Sequence, residues 1–186
     1  MGYALARFAK EWGARVVLVS GPTQLPAPFG VERIFVRTAE EMKKEVEAHY
    51  AEATIVLMSA AVSDYRPEEV SPQKLKKSGH SRSIHLKETE DILAGLRLQK
   101  EKKTIVGFAA ETEALLENAR KKLFRKGLDL IVANDITQEG AGFDVETNIA
   151  QLIDSKGRIT PLPKMSKEAL ARYILEEVVR LKTGVS

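Results

Sequence analysis

With 186 residues, 44% hydrophobic and 30% charged, the chain has the length and composition of one soluble globular domain spanning residues 1–186. Its lack of cysteine excludes disulfides, thiol catalysis and cysteine-ligated metal and fits a cytoplasmic protein, while a net charge of +3 without aromatic-basic alternation argues against nucleic acid. No run of about 18 apolar residues offers a membrane span, the N-terminus lacks a secretory pattern, and His49, His80 and His85 are too scattered for a structural zinc.

The first predicted element is a helix over 1–12, because Met1, Ala4, Leu5, Phe8, Ala9 and Trp12 share one face and Gly13 then stops the pattern. A buried strand follows over 15–20, RVVLVS, and ends at Gly21 and Pro22. A loop carrying Pro26 and Pro28 leads to a short strand over 32–36. Thr38 caps the next helix, 39–50, and Glu41 completes a capping box. An apolar, β-branched strand over 54–58 then gives way to a loop that runs to residue 81, with Pro67 and Pro72 against regular continuation. A short strand over 83–86, a helix over 91–99 and a buried strand over 104–109 come next. The helix over 113–126 buries Leu115, Leu116, Ala119 and Leu123 and carries Lys122 and Lys126 on its flank. After a strand over 128–133 and a loop with Gly140 and Gly142, strands over 149–153 and 158–162 flank the turn at residues 155–157. An amphipathic helix over 166–182 closes the chain.

Strands alternating with helices predict an α/β fold. We expect a doubly wound, mostly parallel, Rossmann-like sheet with helices on both faces and a C-terminal antiparallel hairpin. Such a fold ordinarily opens on a strand and a glycine-rich turn, whereas this chain opens on a helix. Either the sheet lacks that strand or the chain has been cut.

Residues 59–67, SAAVSDYRP, are the stretch on which function turns. Small residues after a buried strand let a ligand approach the backbone beyond the carboxyl ends of the strands, where open α/β sheets bind ligands. Lys74, Lys76 and Lys77 close behind suit an anionic ligand, and a solvated charge run on a surface loop is the alternative. Other strand ends also have plain readings. Residues 109–112 make a strand-to-helix turn with Thr112 as N-cap, and Phe108 belongs to the core. Lys122 and Lys126 snorkel, although like charges at i, i+4 are mildly destabilising unless an anion lies between them. Asn134, Asp135 and Phe143 anchor loops. Neither a GxGxxG nor a Walker A sequence is present.

Taken together and in order, 59–67 with 74–77 (KLKK), 107–112 (GFAAET), and 133–135 (AND) with Gly142, Phe143 and Asn148 resemble phosphopantothenoylcysteine synthetase, the CTP-dependent ligase of coenzyme A biosynthesis. The similarity runs from Met1 to the final helix. It implies two steps: the carboxylate of 4′-phosphopantothenate attacks the α-phosphate of CTP, releasing pyrophosphate, and the cysteine amine then displaces CMP from the acyl-cytidylate. It implies nucleotide contacts from Ala60, Ala61, Asp64, Lys74, Phe108, Lys122 and Lys126, with Glu90, Asp91, Ile92 and Leu93 holding the cytidine. By the same resemblance Lys74 stands closest to the chemistry as an electrostatic partner of the phosphates. Asp64 binds the nucleotide directly or through the Mg2+ expected with CTP, and no separate metal site is assigned. A homodimer is implied, fused to or associated with a flavin-dependent phosphopantothenoylcysteine decarboxylase.

The chain departs from the family's pattern at three places. Glu90 stands where the family usually has proline. Lys122 and Lys126 lie about two to three turns into a helix that leads away from the ligand edge, so a bend, a dimer contact or another docking edge is expected to bring them to the same CTP. In the family a first strand, a glycine-rich turn and an Asn-containing loop ending in Ser-Gly-Lys precede the position of Met1. The chain therefore reads as a truncated synthetase domain that folds around most of the CTP pocket and turns over poorly. Two other classes compete: a Rossmann-type NAD(P) or flavin protein, against which the missing glycine fingerprint argues, and a non-catalytic nucleotide-binding or regulatory module.

Overall fold

The structure, a computed structural model, describes residues 1–77, 79, 81–111, 114–135 and 147–184, with Glu111 and Asp135 by backbone alone. His80, Thr112, Gly140, Gly142 and Phe143 lie outside the described residues, as does the expected helix start at 113.

Helix α1 (Gly2–Glu11) buries Leu5, Ala6 and Phe8 and is followed by Gly13 at φ +88°. Strand β1 (Val17–Ser20) pairs in parallel with β2 (Glu32–Phe35), Val17 opposite Glu32 and Ser20 opposite Phe35. Helix α2 (Ala39–Tyr50) opens on the expected capping box. Glu41 N–H donates to Thr38 Oγ1 at 3.1 Å, and Glu41 Oε2 accepts from the N–H groups of Arg37 at 2.6 Å and Thr38 at 3.2 Å. Strand β3 (Ile55–Met58) follows, then an exposed antiparallel ribbon of β4 (Tyr65–Pro67) and β5 (Leu86–Glu88).

The ribbon corrects the expectation of an unbroken loop after residue 58 and a strand at 83–86. Pro67 is tolerated because the ribbon has only two strands, and the ladder continues through Glu68 N–H to the His85 carbonyl at 2.9 Å. Its residues are exposed, so no alternation of apolar and polar side chains marks it in the sequence.

Helix α3 (Ile92–Arg97), strand β6 (Thr104–Glu111), helix α4 (Leu115–Lys126) and strand β7 (Leu130–Asp135) come next. Short β8 (Thr147–Asn148) precedes the predicted hairpin of β9 (Ala150–Asp154) and β10 (Ile159–Pro161), and β11 (Met165–Ser166) pairs back with β8. Helix α5 (Lys167–Thr183) ends the fold, with Ser166 Oγ accepting Ala169 N–H at 3.1 Å.

The central sheet has the order β10-β9-β7-β6-β3, parallel across β3, β6 and β7 and antiparallel at β9 and β10. Side chains alternate between its faces, as the pleat requires. Val106, Leu130, Val132 and Leu152 pack on one side with α1 and α5; Ile105, Ile131, Ala133 and Ile153 pack on the other with residues of α2, α3 and α4. Helices thus cover both faces, as expected of a doubly wound sheet. Strands β1 and β2 form a separate pair and share no ladder with the central sheet among the described residues. No helix among them is long and apolar enough to cross a membrane.

Candidate nucleotide site

The site is assembled where the loop after β3, the segment before α3 and the lysines of α4 meet. Small residues follow β3, and Ala60, Ala61 and Asp64 are exposed on that loop. Thr89 ties the loop down: its N–H donates to the Asp64 carbonyl at 2.9 Å and its hydroxyl to the Ser63 carbonyl at 2.5 Å. Two residues on, Asp91 caps α3 by accepting Ala94 N–H on Oδ1 at 3.1 Å. Ile92 and Leu93 then turn into the core beside Val62, Met58, Leu115 and Leu116. The backbone of the segment is therefore anchored at both ends.

Lys126 supplies the cation. It forms an ion pair with Asp91 Oδ2, although it is only 8% exposed. Burial lowers its pKa from the ordinary lysine value, and the Asp64 carboxylate acts in the opposite direction. Lys122, one turn earlier, donates from Nζ to the carbonyl of half-buried Phe108 at 2.7 Å. These contacts correct one expectation. Lys126 belongs to the buried face of α4 with Ala119 and Leu123, not to its flank. Helix α3 packs on α4 and presents its cap to the last turn, where Asp91 meets Lys126. The two ammonium groups need no anion between them: Asp91 and the Phe108 carbonyl each hold one.

Glu90, where the family's pattern has proline, is held by Lys43 at 2.8 Å, and Lys43 also reaches Glu47 at 3.2 Å. The Glu90 carboxyl is held below its ordinary pKa by that hydrogen bond and charge. Lys43 and Thr89 were not expected at the site. The i, i+4 spacing of Lys43 and Glu47 reads from sequence only as a helix surface pair, and nothing local connects either residue to Glu90.

Lys74 stands apart. It lies exposed on the link between β4 and β5, and no hydrogen bond or ion pair among the described residues fastens it to the lysines of α4. Asn134 is the last but one residue of β7, and its Oδ1 is buried without a hydrogen-bond partner, as is Oδ1 of Asn148 in β8. Buried acceptors of this kind cost about 1–3 kcal/mol each unless a donor arrives.

A family described as the DNA/pantothenate metabolism flavoprotein C-terminal domain matches residues 1–181. The coenzyme A biosynthesis bifunctional protein CoaBC of Bacillus subtilis (strain 168) is 45% identical over 182 residues, covering 97% of this chain and 45% of that protein. The chain thus spans about half the length of the curated relatives it matches. The crystal structure of the C-terminal domain of a CoaBC protein superposes with TM-score 0.80 at 38% identity, covering 95% of this chain and 79% of that one. A mutant of Cab2 in complex with phosphopantothenate-cysteine shares the fold, with TM-score 0.61 at 19% identity over 83% of this chain and 53% of that one.

Proposed function

The chain belongs to the DNA/pantothenate metabolism flavoprotein C-terminal domain family, and from that premise we propose that it is the phosphopantothenate–cysteine ligase domain of coenzyme A biosynthesis, using CTP. The carrying observation is that Lys126 meets Asp91 and the charge of Asp64, while Lys122, one turn earlier, holds the Phe108 carbonyl, so groups from segments far apart in sequence face the same side of α4.

The proposed chemistry explains why cations are needed there. In the first step a carboxylate oxygen of 4′-phosphopantothenate bonds to the α-phosphorus of CTP, the bond to the bridging oxygen breaks, and pyrophosphate leaves. In the second, the cysteine amine bonds to the acyl carbon, CMP departs and the amine loses its proton. One anion attacks another in the first step, so positive charge must offset the repulsion. Lys122 and Lys126 are placed to orient the nucleotide, and the anchored Glu90–Leu93 segment presents backbone groups to a base edge. Phe108 contributes its carbonyl to that group, while its ring packs on the other face of the sheet with the α1–α5 cluster. Lys74, on its exposed link, supplies charge to the phosphates by moving over the bound substrate.

A magnesium ion fits this scheme through the exposed Asp64 carboxylate together with the triphosphate, since Mg2+ takes one or two carboxylates and keeps several waters. Its chemistry would be to shield phosphate charge. The remaining parts of the proposal are a homodimer and a covalent or associated flavin-dependent decarboxylase, in keeping with the bifunctional name of the Bacillus relative.

Pyrophosphate release from CTP with 4′-phosphopantothenate, with and without cysteine and with ATP as comparison, tests the reading. Release that needs the pantothenate substrate and is faster with CTP supports it. CTP binding without any release favours the non-catalytic module. Failure to bind CTP overturns the assignment.

A further inference from the structure

Three consecutive residues ahead of α3 are each fastened to a different part of the fold. Thr89 reaches back to the loop after β3, Glu90 pairs with Lys43 of α2 at 2.8 Å, and Asp91 pairs with Lys126 of α4. Glu90 and Asp91 act through charge. Thr89 acts through a neutral hydroxyl, and its place in the fold shows what that hydroxyl holds.

Thr89 and Asp64 stand at the root of the β4–β5 ribbon. Tyr65 lies opposite Glu88, and one step nearer the core of the site the Thr89 N–H donates to the Asp64 carbonyl at 2.9 Å. Any residue but proline would make that backbone contact. The side chain adds a second one: the hydroxyl donates to the Ser63 carbonyl at 2.5 Å, next to Asp64 in the chain. Branching at Cβ restricts χ1, so the donor is held toward its partner with little rotamer freedom to lose.

These contacts close a ring. Lys126 pairs with Asp91 and feels the charge of Asp64. Thr89 joins the backbone that carries Asp64 to the backbone that carries Asp91. Its hydroxyl therefore helps to set the spacing of two carboxylates that act on one ammonium. Ser63 is exposed and Thr89 only half-buried, so water can replace the hydroxyl at the Ser63 carbonyl. Losing the hydroxyl thus loosens the spacing while the fold loses little.

We propose, resting on the assignment of this site to CTP, that Thr89 is a positioning residue whose hydroxyl holds the Asp64 loop and the Glu90–Leu93 segment at the separation that fits a cytidine nucleotide. It acts through the two segments and not on the nucleotide itself. A ligand that spans both segments is sensitive to their spacing. A purine is larger across its base than cytosine, so a fixed spacing also favours CTP over ATP.

Thr89→Val keeps the shape and removes the donor, whereas Thr89→Ser keeps the donor. Both variants of the 186-residue chain are titrated with CTP and with ATP by calorimetry, and their thermal unfolding is followed without nucleotide. Thr89→Val should bind CTP about threefold to tenfold more weakly, the effect of one ordinary hydrogen bond lost. Its ATP affinity should move by less than about twofold, so the preference for CTP shrinks. Its Tm should stay within about 3 °C of wild type, and Thr89→Ser should bind CTP within about twofold of wild type.

Equal CTP affinity in Thr89→Val and wild type would overturn the proposal and leave the CTP reading standing. Equal losses for CTP and ATP, failure of serine to rescue, or a Thr89→Val chain that does not fold would make the hydroxyl a structural fastener, and would overturn it as well. A wild-type chain that binds no CTP would bring down the CTP reading and the proposal together.

Discussion

Lys126 is 8% exposed, and two opposing forces act on its proton. Burial favours the neutral amine; the Asp64 carboxylate favours the ammonium, and the net effect is a pKa below 10.5. Between that lowered value and 10.5 the unfolded chain binds more protons than the folded one, so this group makes stability rise with pH there. Lys126→Met should therefore flatten the rise, read as the difference in urea midpoints between the two proteins from pH 8 upward. The same substitution should weaken CTP binding roughly tenfold to a hundredfold, the effect of removing a charge-assisted contact. Titration calorimetry near neutral pH checks it. Gly107 carries a different kind of constraint. A Cβ there would lie 2.5 Å from Leu128 Cδ1, and Leu128 is itself buried at 3% exposure. Gly107→Ala should cost about 1–3 kcal/mol by overpacking, measured by urea denaturation. The glycine of the GFAAET stretch thus has a packing reason, separate from any ligand.

Helix α2 shows how much an element can owe to its first turn. Its capping box joins Thr38 and Glu41 reciprocally, and the N–H groups of Arg37 and Thr38 hold the Glu41 carboxyl below its ordinary pKa of 4.5. A carboxylate with a depressed folded pKa stabilises above the unfolded value, and the gain is lost as pH falls through the folded one. Thr38→Ala should cost about 1 kcal/mol at neutral pH, seen by thermal or urea unfolding, whereas Glu41→Gln, which removes the carboxylate held by those N–H groups, should show a loss that narrows as pH falls below 4.5. This box was legible because its residues are three apart in the chain. The hairpin of β9 and β10 was legible for the same reason: its turn chemistry is local, with Gly157 at φ +81°. The ribbon of β4 and β5 was not, since Tyr65 and its partner Glu88 are joined only by tertiary pairing and neither is buried. Lys126 was placed on a flank by helical spacing, which carries no information about α3 packing beside it; the Asp91 partner comes from that packing.

At the scale of the whole molecule, one sheet serves two cores. Ile105 and Val106 are neighbours in β6, yet they belong to opposite clusters, and Leu130, Ile131 and Val132 of β7 alternate likewise. Alternation of this kind is visible in sequence only as a continuous apolar run, which names the strand but not the neighbours it takes. The order β10-β9-β7-β6-β3 rests on backbone ladders that side-chain patterns do not specify. Shared strands have a thermodynamic consequence. Loosening the α1–α5 side must disturb strands whose other face holds the α2, α3 and α4 residues, so neither core should melt alone. Ile174→Val probes the first cluster and Ile105→Val the second, both residues being 0% exposed. Each should cost about 0.5–1.5 kcal/mol, small beside a total stability of roughly 5–15 kcal/mol, so the double variant remains folded. Because no pair of contacts is removed twice, the two losses should add within about 0.5 kcal/mol. Trp12, partly exposed at the end of α1, reports on the first side by fluorescence, and circular dichroism reports on all helices. Coincident transitions are the expected outcome, the two probes giving the same midpoint within each variant while the midpoint itself falls from wild type to single to double variant. A fluorescence transition preceding the loss of helix would mean that the α1–α5 layer unfolds by itself, and the sheet would then be a boundary between two cooperative units.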